Sequence, residues 1–213
     1  MVQSGNLKWG WAIDLGSSVI TSYSFYLLGS PFFWLACLFP YKAIPYLMPF
    51  LLMLKFAVGC LGAFGYLRRY AKDDNYALIG ALLYTFSGFA IYNIFFNHFI
   101  ESVVFFPYMI WAMDEFVYND KKGIFPVTVA LNLINNYFFF VGQVLFLVIY
   151  FVCKLSAGEF RLTRRLFGQL AFESLLGVAL GFVVLWPTVL SVLQNPRTID
   201  PVSYTHLTLP TTP

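Results

Sequence analysis

An all-α, multi-pass transmembrane helical bundle is the fold this sequence predicts, and three observations carry the prediction. Charge is scarce, with 60% of the residues hydrophobic and 11% charged, where a soluble domain carries roughly 25% charged residues to cover its surface. Aromatic residues, 21% of the chain, stand where that charge would be. The outer surface therefore has a solvent other than water, and lipid is that solvent. Second, apolar runs of membrane-crossing length recur between short polar loops. Third, the charge of those loops alternates along the chain.

The elements follow in order. Residues 1–45 read as an extracytoplasmic or interfacial segment. Ser30-Pro31 and Pro40 cut the aromatic stretch PFFWLACLF into a piece too short to span. Its Trp and Phe content suits a helix lying in the interface. About 20 helical residues cross a hydrocarbon core of about 30 Å. On that measure the spans are roughly 46–66, 77–96, 102–118, 124–136, 138–153 and 166–190, separated by YLRRYAKDDN, NHFIE, VYNDKKG, an Asn-Asn-Tyr tip and KLSAGEFRLTRR.

Alternate loops hold Arg68, Arg69 and Lys72, then Lys121 and Lys122, then Lys154, Arg161, Arg164 and Arg165, which is nine of the thirteen basic residues. The positive-inside rule makes these loops cytoplasmic. The turns at His98, at Asn135–Asn136 and after Leu193 then face outside. A single helix over 124–153 would break this parity, whereas folding back at Asn135–Asn136 restores it. Two arms of about 20 Å each result, short enough to suit a hairpin buried in protein.

Both ends read as cuts, so the chain is expected to be a fragment. No signal peptide is legible at the start. Beyond Asp200 the composition becomes polar and Thr-rich. Val202–Thr211, VSYTHLTLPT, looks like a translated sequencing adaptor, so 201–213 is set aside as an artefactual tail.

Composition also excludes functions. The net charge of +3 is small and confined to loops, against the basic stripe that nucleic acid requires. Cys37, Cys60 and Cys153 lie far apart in apolar runs with no Cys-x-x-Cys or paired-histidine spacing. They predict neither a disulfide framework nor a metal site. The cofactor is unknown; a divalent cation is compatible with the sequence, and nothing in it requires one.

A few polar residues stand out. Lys55 interrupts LLMLKFAVG, about 20 Å from the cytoplasmic edge. An ammonium at that depth needs a partner, with snorkelling to the outer headgroups as the plain alternative. A lipid phosphate or Glu173 would serve as that partner. Asn97, His98 and Glu101 form an outward turn able to supply acid/base groups, a metal ligand or phosphate contacts, or to be an ordinary solvated loop. Asp14, flanked by Gly16, reads most simply as a turn residue. Asp114 and Glu115 read as interfacial charge, and Gly59, Gly62, Gly65, Gly177 and Gly181 as close helix packing.

The segments WAIDLGSSVITSYSFYLLGSPFFWL, LKFAVGCLGAFGYLRRY, YALIGALLYTFSGFAIYNIFFNHFIESVVFFPYMIWAMDE, LNLINNYFFFVGQVLFLVIYF and GVALGFVVLWPTVLSVLQNPR together resemble the bacterial YfhO-like membrane proteins over residues 5–200. That family is similar to the GT-C glycosyltransferases. The resemblance implies a bundle of GT-C type in the bacterial cytoplasmic membrane, transferring sugar from a polyprenyl-phosphate carrier to teichoic-acid-like wall polymers on the outer side. Its partners would be the lipid bilayer, the lipid-linked sugar and the polymer acceptor. It also implies a catalytic Asp in an outer loop upstream of this chain. Asp14, Lys55, Asn97, His98, Glu101, Asn135, Asn136 and Arg197 match positions typical of the family and are the candidates for shaping the site and holding the lipid phosphate. A transporter or flippase of lipid-linked sugars, or a non-catalytic scaffold for wall assembly, remains the alternative.

Overall fold

The computed structural model describes residues 23, 27–160 and 163–193. Asp14, Arg197 and the 201–213 tail lie outside the described residues. Among the described residues every regular element is helical. A short α1 (Pro31–Cys37) leads through a 3-10 turn (Tyr41–Ala43) into the long α2 (Ile44–Leu67). Then come α3 (Asp74–Thr85), α4 (Gly88–Tyr92), α5 (Ile100–Asn119), α6 (Ile124–Asn135), α7 (Tyr137–Ser156) and α8 (Arg164–Leu193).

The long helices stand side by side in the order α3, α2, α5, α6, α8, with α7 leaning on α5 and α6. Among the described residues, four stretches are long and apolar enough to cross a membrane: Tyr41–Leu67, Asp74–Tyr92, Tyr137–Ser156 and Arg164–Pro187. Their outward faces carry Phe50, Leu61, Leu83, Val141, Leu175 and Val183, all exposed. A surface of that kind is stable in lipid and not in water. The chain is a multi-pass membrane protein.

The charge-bearing helix is the innermost one. α5 carries Glu101, Asp114 and Glu115, yet Ile100, Val104, Met109, Met113 and Phe116 are almost wholly enclosed by its neighbours. Protein rather than lipid surrounds those acids, which is the condition under which ionisable groups are tolerated at such depth. Small residues allow the helices to approach. Gly62 faces the Tyr108 ring, Gly65 the Trp111 ring and Gly181 the Leu133 side chain, each too close for a methyl group without a shift.

Two of the expected spans are built less regularly than their hydropathy suggests. The stretch 77–96 is not one helix: α3 stops at Thr85, Phe86 and Ser87 leave helical geometry, and α4 runs for five residues before a turn. Ser87 and Gly88 compete poorly for helix, which explains the local stop. The arms meeting at Asn135–Asn136 are also unequal. α6, with 12 residues, is short and buried. α7 has 20 residues, full crossing length, and is mostly exposed. Asn136 adopts an extended backbone (φ −158°, ψ 96°), and its Oδ1 accepts the amides of Phe138 and Phe139, each at 3.2 Å. This is an N-cap, and it starts α7 in a new direction.

Candidate functional site

At the end of the bundle away from the basic loops, a buried ion pair is assembled from three helices. Ser30, the N-cap of α1, accepts the Phe33 amide at 3.0 Å, and Pro31 follows at the first helical position, where its missing N–H costs nothing. The capped Ser30 hydroxyl donates to Glu101 Oε1 at 2.8 Å. Phe32 turns inward, its ring stacked on Phe105 with centroids 5.9 Å apart.

Lys55, halfway along α2, meets this cluster from the other side. Its Nζ lies 2.7 Å from Glu101 Oε1, donates to Asn97 Oδ1 at 3.0 Å and to the Asn97 carbonyl at 3.2 Å, and sits 5.5 Å above the Phe32 ring. An ammonium has three N–H donors, and all three are taken. Lys55 is only 5% exposed, so it does not snorkel into lipid. A phosphate reaching it must displace Asn97 or Glu101. Glu173 is not its partner, correcting that expectation. Glu173 Oε1 instead accepts the Gly123 amide at 3.0 Å, where Gly123 at φ +83° starts α6.

Glu101 is the more unusual half of the pair. Its Oε1 holds both Lys55 and Ser30, while its Oε2 is buried with no protein hydrogen-bond partner. Ser30, Lys55, Asn97, His98 and Glu101 border a cavity of about 140 Å³ whose remaining walls are apolar, among them Phe32, Phe33, Met48 and Leu51. At about 30 Å³ per water, that is room for four or five waters or one edge of a larger molecule.

Burial first, and the Lys55 ammonium second, hold the His98 imidazole below its ordinary range. Its neutral form is thus the folded one. The stability this contributes is fully present above about pH 6.5 and is lost as pH falls through the lower folded value. Imidazole NMR in nanodiscs should find the His98 midpoint below 6.5, moving upward in Lys55→Gln; an unshifted midpoint contradicts this placement.

Not every expected residue joins the cavity. Asn135 and Asn136 are buried, but their tip packs against the turn at Gly29 instead of lining the space beside Lys55. Asn135 Oδ1 and Asn136 Nδ2 have no partners there.

Asp114 is corrected more sharply. It is fully buried near the basic end, far from any interfacial role. It accepts the hydroxyl of Tyr70 and, at 3.0 Å, that of Tyr150, while Tyr66 donates to Tyr150 at 3.2 Å. Beside it Glu115 pairs with Arg69 and, at 2.7 Å, with Lys121. Consecutive helical residues point about 100° apart, so of an Asp-Glu pair one can face inward while the other reaches the loops. That geometry was the available signal.

A family model described as "Bacterial membrane protein YfhO" matches residues 1–213. No curated protein and no solved structure matches the chain.

Proposed function

We propose that this chain, which belongs to the YfhO family of bacterial membrane proteins, forms the substrate-holding core of a GT-C type glycosyltransferase that uses a polyprenyl-phosphate sugar at the outer leaflet. The observation carrying this reading is the Lys55–Glu101 pair, with one unpartnered carboxylate oxygen beside a small cavity. Withdrawing two charges from water is costly and rarely stabilises a fold by itself. A buried pair inside a membrane protein therefore points to use.

Because the Lys55 donors are already taken, the vacancy is for a hydrogen-bond donor. A sugar hydroxyl supplies one. Lys55 orients Glu101, Ser30 fixes its Oε1, and Oε2 receives the hydroxyl. In the transfer itself, the acceptor oxygen bonds to the anomeric carbon as the polyprenyl phosphate leaves with the electron pair of the broken C–O bond. The acceptor proton goes to a carboxylate acting as base, the role the resemblance implies for an outer-loop Asp. Holding a substrate hydroxyl in register is worth several kcal/mol of barrier through orientation alone.

Glu101→Gln in the whole gene product keeps the shape and an oxygen acceptor but removes the charge. It should lower wall-polymer glycosylation at least tenfold per amount of folded protein in the membrane. Full glycosylation in this variant overturns the reading. One observation favours translocation of lipid-linked sugar as a second reading: α3 is broken at Phe86–Ser87, and interrupted helices are common in transporters. Glu101→Gln retaining transfer in detergent while losing carrier movement across vesicles would select it.

A further inference from the structure

At the opposite end of the bundle, α7 and α8 scarcely touch each other, since α8 packs along α6. The gap between them is a cleft of about 450 Å³, floored by Met109 and Met113 of α5 and by Phe125 and Val129 of α6. Its walls are Leu147, Val148, Phe151 and Leu155 on one side and Phe167, Leu170, Ala171 and Val178 on the other. Among the described residues Ser174 is the sole polar liner, and its hydroxyl is spent on the Leu170 carbonyl at 2.8 Å.

The cleft opens on the lipid side. Val148, Val152 and Phe167 on its rims are each more than half exposed. It runs about 16 Å along α8 from Phe167 to Val178 and about 22 Å along α7 from Leu155 to Phe140, the reach of an acyl chain that passes mid-membrane in a core of about 30 Å.

The headgroup end is cationic. Phe167, Ala171, Ser174 and Val178 mark one stripe of α8 at helical spacing, and Arg164 continues that stripe one turn toward the loop. Arg165 stands beside it, and Lys122 precedes the liner Phe125 by three residues at the start of α6. All three are exposed. Two arginines in the first turn of α8 sit at the positive end of the helix dipole, where cations are disfavoured and an anion is stabilised. An apolar slot ending in two arginines at a helix N-terminus, with Lys122 beside its Asp120 partner at 3.5 Å, is complementary to one kind of molecule.

We propose that this cleft holds an anionic phospholipid, with an acyl chain lying between α7 and α8 and its phosphate between Arg164, Arg165 and Lys122. The site is independent of the glycosyl-transfer reading and lies at the other end of the bundle from Lys55. The bound lipid acts as the missing contact between two helices that do not otherwise pack, so the α7–α8 spacing depends on the charge of the surrounding membrane.

Native mass spectrometry of the whole gene product in detergent tests this, with phosphatidylglycerol and phosphatidylcholine as probes. The unaltered protein should retain phosphatidylglycerol at least tenfold more tightly. Arg164→Gln with Arg165→Gln should erase that preference. Ala171→Trp, which fills the slot, should lower retention of both lipids; Val148→Trp on the exposed wall serves if the first variant does not fold. Equal retention of the two lipids by the unaltered protein, or full retention in the tryptophan variant, overturns the proposal. Displacement of phosphatidylglycerol by equimolar polyprenyl phosphate also overturns it and assigns the cleft to the carrier.

Discussion

Glu101→Leu is expected to lower stability by about 3–5 kcal/mol, the cost of stranding one member of a buried pair. The substitution leaves the Lys55 ammonium 5% exposed beside apolar walls, holding only the two oxygens of Asn97. Lys55→Met should be similarly damaging, because it abandons a buried carboxylate that retains a single hydroxyl donor from Ser30. The double variant separates burial cost from pairing. With both charges gone, Met and Leu refill the space, and stability should return to within about 1 kcal/mol of the original or exceed it. Thermal unfolding in one detergent, followed by helical signal across the four proteins, reads this cycle. Additive losses in the double variant would mean that the two side chains do not act as a pair.

Gly29→Ala is the second large loss. A methyl group there would lie 1.8 Å from the Ile134 carbonyl oxygen and 2.5 Å from its carbon, both backbone atoms that no rotamer change can move. The Leu27–Ser30 turn must back away from the end of α6, and with it the Ser30 hydroxyl that supports Glu101. Overpacking of this kind costs about 3 kcal/mol or more. The matched control is Gly142→Ala on α7, where nothing lies within 4 Å of the added methyl group. There the change should stabilise by about 0.5–1 kcal/mol through helix propensity. A Gly29→Ala protein as stable as the control would show that the turn does not pack against α6. Under the proposed transfer reading, the same change reduces transfer without altering the charged groups, because Ser30 no longer fixes Glu101.

How much of this was legible beforehand differs from residue to residue. Lys55 was conspicuous because a charge within LLMLKFAVG violates the hydropathy around it. Its conspicuousness said nothing about whom it meets. In the sequence Glu173 lies in an apolar run and is the acid that suits Lys55, whereas Glu101 lies in an outward turn; only the packing of α2 against α5 makes Glu101 the partner. Asn135 and Asn136 were equally visible as a polar tip, yet one becomes a buried amide and the other a helix cap. In the sequence Asp114 reads as ordinary charge near a loop. Its burial depends on Tyr70 and Tyr150, which lie 44 and 36 residues away in the chain.

Composition and pattern decide the properties that depend on transfer between solvents. Sixty per cent hydrophobic residues and alternating basic loops place this chain in a membrane with several crossings, since each residue's cost in lipid is nearly independent of its distant neighbours. Tertiary structure alone decides which buried polar groups meet. The Ser30–Glu101 contact joins residues 71 apart in the chain, and the α7–α8 cleft exists because α8 chose α6 as its neighbour. Such contacts are set by the shapes of whole helix faces, and an ion pair has worth only at a few ångströms. No local run of residues encodes that separation.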